Sequence, residues 1–251
     1  MIFDDRYEVF LADTREAMSL HYHLRYQVYH VETGWESDKH LVGGKLERDK
    51  YDAFSKHFLV RDRLTREWAG GMRLVVSGFN ELPLARVSQL DRIAGIEFDQ
   101  SHCVEVSRLF VLPDYRGGRR YGEVSAVKKR TSASYFEVML GLIRAARSFG
   151  LHNGLKSWYF LVEPGLARSI QRLGIDLFCC GPEVDYRGIR RPYYGEVSSC
   201  FDRILSSPSE LSMMFSRKEA YRSFSRSFIE PPSLDAVNGC FGELNCSGMG
   251  A

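Results

Sequence analysis

Cys103-Val104-Glu105-Val106-Ser107-Arg108-Leu109-Phe110-Val111-Leu112-Pro113 is the stretch whose reading decides the fold. β-branched, aromatic and aliphatic residues fill it, so it reads as a buried strand, and Pro113, which has no amide hydrogen, ends it. A carboxylate, a hydroxyl and a guanidinium stand in the middle of this apolar run. Alternation along a strand turns Glu105 and Ser107 to one face and Arg108 to the other, unless a bulge re-aims the arginine. Two readings are open: chemistry in a cleft on the Glu105 side, or an internal ion pair on a sheet face.

Upstream, Lys56–Leu64 and Trp68–Ser77 form a hairpin around the polar turn Thr65-Arg66-Glu67, with Arg73 inside its second strand. A short helix is expected near Val87–Leu90. Earlier still come a strand at Tyr7–Phe10 and a helix capped by Asp13 or Thr14. Its apolar positions Ala17, Leu20, Leu24, Val28 and Val31 recur every three or four residues. Arg25, Tyr29 and Trp35 gather near its end, where they suit the floor of an acyl or amino-acid pocket, although packing alone also explains the aromatics. Glu36–Tyr51 is charged, glycine-bearing and aperiodic, so a mobile loop is expected, with Asp49 and Asp52 closing it.

Downstream, Asp114–Thr131 carries Arg116, Arg119, Arg120, Lys128, Lys129 and Arg130, and Ser132 or Ser134 starts a helix reaching Gly150. Strand, basic loop and helix in that order suit a phosphate, but the full Gly-x-x-x-x-Gly-Lys-Ser/Thr pattern of a nucleoside triphosphate site is absent. The pattern then gives a strand at Leu155–Val162, a helix at Glu163–Leu173 and a strand at Ile175–Cys179. Two strands follow around Val184–Tyr186 and Tyr193–Ser198, turned at Gly188, and then a helix from Ser207 or Ser209 to about Phe224. Residues 229–251, rich in Pro, Ser, Gly and Asn, are expected to be a disordered tail behind one α/β domain at 1–228.

The chain of 251 residues is 44% hydrophobic with a net charge of +2, so it fills a core but lacks the global basic footprint of a nucleic-acid binder. No run approaches the roughly 18 apolar residues of a membrane span, and Met1-Ile2-Phe3-Asp4-Asp5-Arg6 lacks the plan of a signal peptide, so a cytoplasmic protein is expected. Cys103, Cys179, Cys180, Cys200, Cys240 and Cys246 include no Cys-x-x-Cys pair and read as buried, reduced thiols, with no metal site. His21 and His23 diverge on a helix, and His57 reads as a satisfied strand-edge histidine.

Leu24-Arg25-Tyr26-Gln27-Val28-Tyr29-His30-Val31-Glu32-Thr33-Gly34-Trp35-Glu36 resembles the opening motif of the autoinducer synthase group, acyltransferases of GNAT-like fold that make N-acyl homoserine lactones. The group's paired acids three apart fall on Asp49 and Asp52, its strand arginine on Arg73, and its Glu-x-Ser-Arg on Glu105, Ser107 and Arg108. The second half is similar to the PEP-CTERM/exosortase-associated acyltransferases, grouped with N-acyl amino acid synthases. Trp158–Arg168, Gly174-Ile175 and Gly181–Tyr193 carry that likeness, and the whole resemblance runs from Tyr7 to Phe201.

The resemblance implies a single GNAT-like α/β domain with a central mixed, mainly antiparallel sheet flanked by helices. It also implies an N-acyltransferase that moves a fatty acyl group from a thioester carrier to the α-amine of an amino acid or related amine, with no tightly bound cofactor. Glu105 is then the expected base, Ser107 orients substrate, and backbone N–H groups near Phe110 and Val111 hold the oxyanion. Arg25, Arg73 and Arg108 grip a carboxylate or fix the acidic loop through Asp49 and Asp52, while Tyr29 and Trp35 line the cavity near the carbonyl end. The basic loop lacks the compact glycine-rich pyrophosphate turn of coenzyme-A-dependent GNAT enzymes. It therefore points to acyl carrier protein, through its phosphopantetheine thioester, ahead of acyl-coenzyme A as donor. Two alternatives stand beside this reading: an N-acyl homoserine lactone synthase, and a non-catalytic acyl-chain or acyl-carrier binding module.

Overall fold

The Cys103–Val111 stretch is a central strand of a nine-stranded sheet. A computed structural model describes residues 3–36, 41–90, 102–116 and 133–225. In chain order the elements are α1 (Phe3–Arg6), β1 (Tyr7–Leu11), α2 (Arg15–Arg25), a π-helical segment (Tyr26–Glu32), β2 (Leu41–Val42) and β3 (Leu46–Glu47). A 3₁₀ turn (Lys50–Phe54), β4 (Ser55–Asp62), β5 (Trp68–Ser77), two 3₁₀ turns (Phe79–Glu81 and Pro83–Arg86) and β6 (Cys103–Val111) follow. The second half holds α3 (Ala133–His152), β7 (Ser157–Val162), α4 (Pro164–Arg172), β8 (Phe178–Cys179), β9 (Val184–Asp185), β10 (Ile189–Glu196), α5 (Asp202–Leu205), α6 (Glu210–Ser216) and β11 (Arg222–Ser223).

The strand order is β11-β1-β4-β5-β6-β7-β10-β8, with β9 beside β10. Among the described residues only β1·β11 and β6·β7 are parallel, so the sheet is mixed and mainly antiparallel. α3 crosses β4, β5 and β6 on one face, where Val104, Val106 and Val111 share an apolar core with Val138, Met139 and Ile143. On the other face Leu24, Val28 and Tyr29 pack against Leu59 and Phe110.

β6 changes parity halfway along. Val104 and Val106 face α3, and so do Leu109 and Val111, which leaves Ser107 and Arg108 side by side on the opposite face. The ladder with β5 shows why: Arg73 faces Ser107 and Gly71 faces Phe110, so Arg108 and Leu109 lie across from Met72 alone. This is a β-bulge, and Arg108 takes a positive φ of 48° to make it. Gly71 is what lets the strands close up here, because a Cβ would stand 2.7 Å from the Phe110 ring and 2.9 Å from the Phe58 carbonyl oxygen. The bulge on which the orientation of Arg108 was conditional is therefore present.

β6 and β7 pair from Cys103–Ser157 to Val106–Phe160, and their ladder goes no further. A parallel pair that stops short of the ends of both strands leaves two open edges facing one another, a place for a ligand to enter the sheet.

Several expectations need correction. The N-terminal helix, capped by Thr14 as expected, widens into π geometry after Arg25, with Thr33 N–H bonded back to Val28 O at 3.0 Å. The wider turn rotates the stripe, so Val28 and Tyr29 point inward and Val31 is 58% exposed. The aperiodic Glu36–Tyr51 segment is no free loop in its described part. β2 and β3 pair around Gly43 and Gly44, and Asp49 and Asp52 form a reciprocal cap on the 3₁₀ turn. Val87–Leu90 is not helical; Pro83 starts the 3₁₀ turn earlier. The strand expected at Ile175–Cys179 shrinks to β8, and the last helix is only α6, capped by Ser209, after which the chain returns as β11 against β1. Cys103, Cys180 and Cys200 are buried, but Cys179 is exposed on edge strand β8. The basic residues from Arg119 to Arg130, Cys240, Cys246 and the tail 229–251 lie outside the described residues.

Candidate active site

Where β6 and β7 part, a cavity of about 420 Å³ opens. Its inner part is apolar, walled by Val106, Met139, Ile143, Phe160, Leu166 and Ile170, because it runs between the sheet and the inner faces of α3 and α4. Its outer part is polar, with Arg73, Glu105, Ser107, Arg108, Arg187 and Arg190. The polarity divides at β6, since the bulge turns both Ser107 and Arg108 away from the α3 core.

Glu105 is 4% exposed and accepts a hydrogen bond from the Leu84 N–H at 2.8 Å. Among the described residues no basic side chain forms an ion pair with it. Burial pushes its pKa up to about 7, against the opposing pull of the Leu84 N–H and of the Arg73 and Arg108 charges. A carboxyl that titrates near neutrality at the wall of a cavity suits general base work.

Behind Glu105 lies a buried charge network. Arg73 donates to Asp49 at 2.6 Å and Asp52 at 3.0 Å, and its Nε donates to Ser107 Oγ at 3.1 Å. Arg25 donates to Asp52 at 2.6 Å and also to Glu47. Arg108 reaches Glu36 at 2.6 Å, Glu47 at 3.2 Å and Asp49 at 3.3 Å, and Arg187 closes the chain on Glu36. Four arginines thus meet four carboxylates, Glu36, Glu47, Asp49 and Asp52. His57 adds a hydrogen bond to Asp52 at 3.0 Å. Burial alone would raise the Asp52 pKa, but the His57 bond and the charges of Arg25 and Arg73 hold it far below the carboxylate range.

Glu105, Ser107, Arg108, Phe110, Val111, Arg73, Tyr29, Trp35 and Arg116 all line the cavity. Arg25, Asp49 and Asp52 do not. Arg25 and Asp52 have side chains 0% exposed, so of the two roles expected for this set theirs is to tie the acidic segment to the sheet. The Leu112 N–H goes to the Ala69 carbonyl at 2.8 Å, so alternation turns the Val111 N–H to the opposite edge, the one β7 has left. The same alternation directs the Phe110 N–H into the ladder with Gly71. Val111 is thus the one of the two backbone donors that faces the gap. Arg116 bonds the Val111 carbonyl at 2.5 Å and pairs with Glu32 at 2.5 and 2.9 Å. Tyr29 is fixed by its hydroxyl bond to the Leu109 carbonyl at 2.9 Å, and its ring stacks on Trp35 at 6.3 Å between centroids.

Sequence reasoning missed Glu36, Glu47, Leu84, Arg187 and Arg190. Glu36 closed the quoted N-terminal motif without a role, and Glu47 sat in a segment with no period to place it. Arg187 and Arg190 come from the β9–β10 turn and strand, more than a hundred residues further on, and they stood in the quoted Gly181–Tyr193 motif without a role.

Residues 24–122 match the family model of the acetyltransferase (GNAT) domain. The fold is that of the GNAT acyltransferases. The GNAT domain here is an acyltransferase domain. It is similar to the structure of a CoA-dependent acyl-homoserine lactone synthase, BjaI, with SAM and isopentyl-CoA, at 18% identity, covering 93% of this chain and 97% of that one with a TM-score of 0.59. It is also similar to the acyl-homoserine lactone synthase LasI, at 17% identity, 78% and 91% coverage and a TM-score of 0.54. A third likeness is to FeeM, an N-acyl amino acid synthase from uncultured soil microbes, at 11% identity, 80% and 98% coverage and a TM-score of 0.50. At these identities the likeness is one of fold. No curated protein sequence matches significantly.

Proposed function

We propose that this GNAT domain is an N-acyltransferase that moves a fatty acyl group from an acyl-thioester carrier to the α-amine of an amino acid or related amine. The observation that carries the reading is Glu105: a buried carboxyl with a pKa of about 7 at the junction of a polar and an apolar chamber. The acceptor's ammonium gives a proton to Glu105, directly or through a water, and the free amine attacks the thioester carbonyl carbon. The Val111 N–H, on the edge left open by β7, holds the oxyanion, which collapses to the amide as the C–S bond breaks; the second proton of the attacking nitrogen passes to the departing thiolate, and Glu105 returns the first to solvent. The apolar chamber takes the acyl chain, and Tyr29 and Trp35 sit at its carbonyl end.

Acyl carrier protein is the proposed carrier, drawn by Arg119, Arg120, Lys128, Lys129 and Arg130, with its phosphopantetheine arm presenting the thioester; Arg116, expected in the same role, is paired with Glu32. The Trp158–Arg168 and Gly181–Tyr193 motifs support an enzyme of the PEP-CTERM/exosortase-associated branch, and a cytoplasmic location is proposed with it. Purified protein incubated with acyl thioesters and mixed amino acids should release thiol in an amine-dependent way, and Glu105→Gln should not. Repeated absence of amine-dependent release would favour the non-catalytic acyl-binding module.

A further inference from the structure

Five arginines line the cavity: Arg73, Arg108, Arg116, Arg187 and Arg190. Four of them are matched by carboxylates, Arg73 by Asp49 and Asp52, Arg108 by Glu36, Glu47 and Asp49, Arg187 by Glu36, and Arg116 by Glu32. Arg190 has no carboxylate among the described residues. Its Nη1 reaches the Leu161 carbonyl at a long 3.4 Å, and its Nε is buried without an acceptor. A buried N–H left empty beside a cavity calls for a group that arrives from outside.

The side chain is also held for the purpose. Its guanidinium lies 5.5 Å over the Trp35 ring, and Trp35 rests in turn on Tyr29, which is anchored to β6. Stacking occupies the face of a guanidinium and leaves its planar fork of N–H donors open, the geometry that binds a carboxylate through two parallel bonds. With the other arginines of the cavity wall neutralised in place, Arg190 is, among the described residues, the positive charge of the polar chamber left unmatched, in the same cavity as Glu105.

We infer that Arg190 binds the α-carboxylate of the acceptor, so that the acceptor class is a free α-amino acid, its ammonium directed to Glu105 and its carboxylate to Arg190. The inference rests on the acyltransferase reading and narrows it: a decarboxylated amine would leave Arg190 empty. Arg25, Arg73 and Arg108, the arginines expected to grip a carboxylate, are committed to the protein's own acids. Among the described residues Arg190 is the arginine of the cavity wall with no carboxylate partner.

The test uses the purified full chain with an acyl-thioester donor and a panel of amino acids, each set against its own decarboxylation product, such as leucine against isoamylamine and phenylalanine against phenethylamine. The parent protein should favour the amino acid of at least one pair by about 10²-fold in kcat/KM, the scale of losing a charge-assisted bond. In Arg190→Gln that ratio should collapse toward unity. Arg190→Lys, which keeps the charge and loses the fork, should give an intermediate ratio and guards against a folding failure. Calorimetric binding of the same pairs provides a readout independent of turnover. Carboxylate-dependent binding lost in Arg190→Gln, without thiol release in any protein, would overturn the transferase reading and leave the subsite standing. Equal use of amine and amino acid by the parent, an unchanged ratio in Arg190→Gln, or no binding of any amino acid would overturn the subsite.

Discussion

Glu105→Gln should make the protein more stable and less active at once, and the two effects have one cause. The folded state raises the Glu105 pKa from 4.5 to about 7, so between those values the unfolded chain ionises there and the folded one does not. Rising pH therefore favours unfolding through this window, and each unit is worth about 1.36 kcal/mol. The full shift amounts to about 3 kcal/mol, reached above pH 7 and absent below pH 4.5. Glutamine keeps the oxygen that accepts the Leu84 N–H but cannot ionise, so the variant should lack the loss. The difference in melting temperature should be near zero at pH 4.5 and grow to about 6–12 °C at pH 8, at the 2–4 °C per kcal/mol usual for a chain of this size. Differential scanning calorimetry of both proteins across pH reads this directly. Thiol release should meanwhile fall roughly 10²–10⁴-fold in the variant, and kcat/KM of the parent should climb through pH 7 as the base form appears. Melting curves that stay parallel across pH would refute the buried-carboxyl argument, and turnover within twofold of the parent would remove Glu105 from the base role.

Other outcomes follow from the same geometry. Trp35→Ala should change acyl-chain preference more than melting temperature, because Trp35 is 43% exposed at the cavity mouth; the reverse pattern in a donor-length series would mark it as a packing residue. Asp52→Asn removes the negative charge shared by Arg25, Arg73 and His57 and should cost about 3–5 kcal/mol in urea unfolding, as for other buried pairs broken on one side. His21 is fully buried with neither ring nitrogen hydrogen-bonded, and burial followed by the nearby His57 holds its pKa well below 6.5. Its stabilising effect is therefore complete above pH 6.5 and fades as pH falls, opposite in slope to Glu105. His21→Leu in the Glu105→Gln background should flatten the acid limb of the stability curve. Reversing Arg119, Arg120, Lys128 and Lys129 to glutamate should raise the KM for acyl carrier protein strongly at low salt and spare a short acyl-pantetheine donor; equal loss with both donors would sink the carrier reading.

The apolar periods of β4, β5, β6 and β7 were long enough to name those strands within a residue or two, and the Glu105–Ser107–Arg108 triple pointed to the cavity wall before any geometry was known. What stayed hidden depends on tertiary partners. Strand alternation cannot say whether Arg108 sits at a bulge, because the bulge is set by Gly71 and Phe110 across the ladder. The Glu36–Tyr51 segment has no period because arginines from elsewhere, not an apolar face, hold its acids in place. Arg190 stood in the quoted Gly181–Tyr193 motif without a role for the same reason: its distinction is that it has no carboxylate partner among the described residues.

The arginine–carboxylate network joins residues between 21 and 151 positions apart in the chain. Contacts so distant close only after the sheet is assembled, since loop-closure entropy must be met first. The network is therefore expected to close late in folding, so that weakening it should quicken unfolding with little change in the folding rate. It also acts as a check on assembly. A chain with β6 slipped by one residue, or with the β9–β10 turn misplaced, would bury arginines and carboxylates without their partners, at a cost of several kcal/mol per broken pair. The same charges that surround the candidate base therefore select the one strand register in which that base faces the cavity.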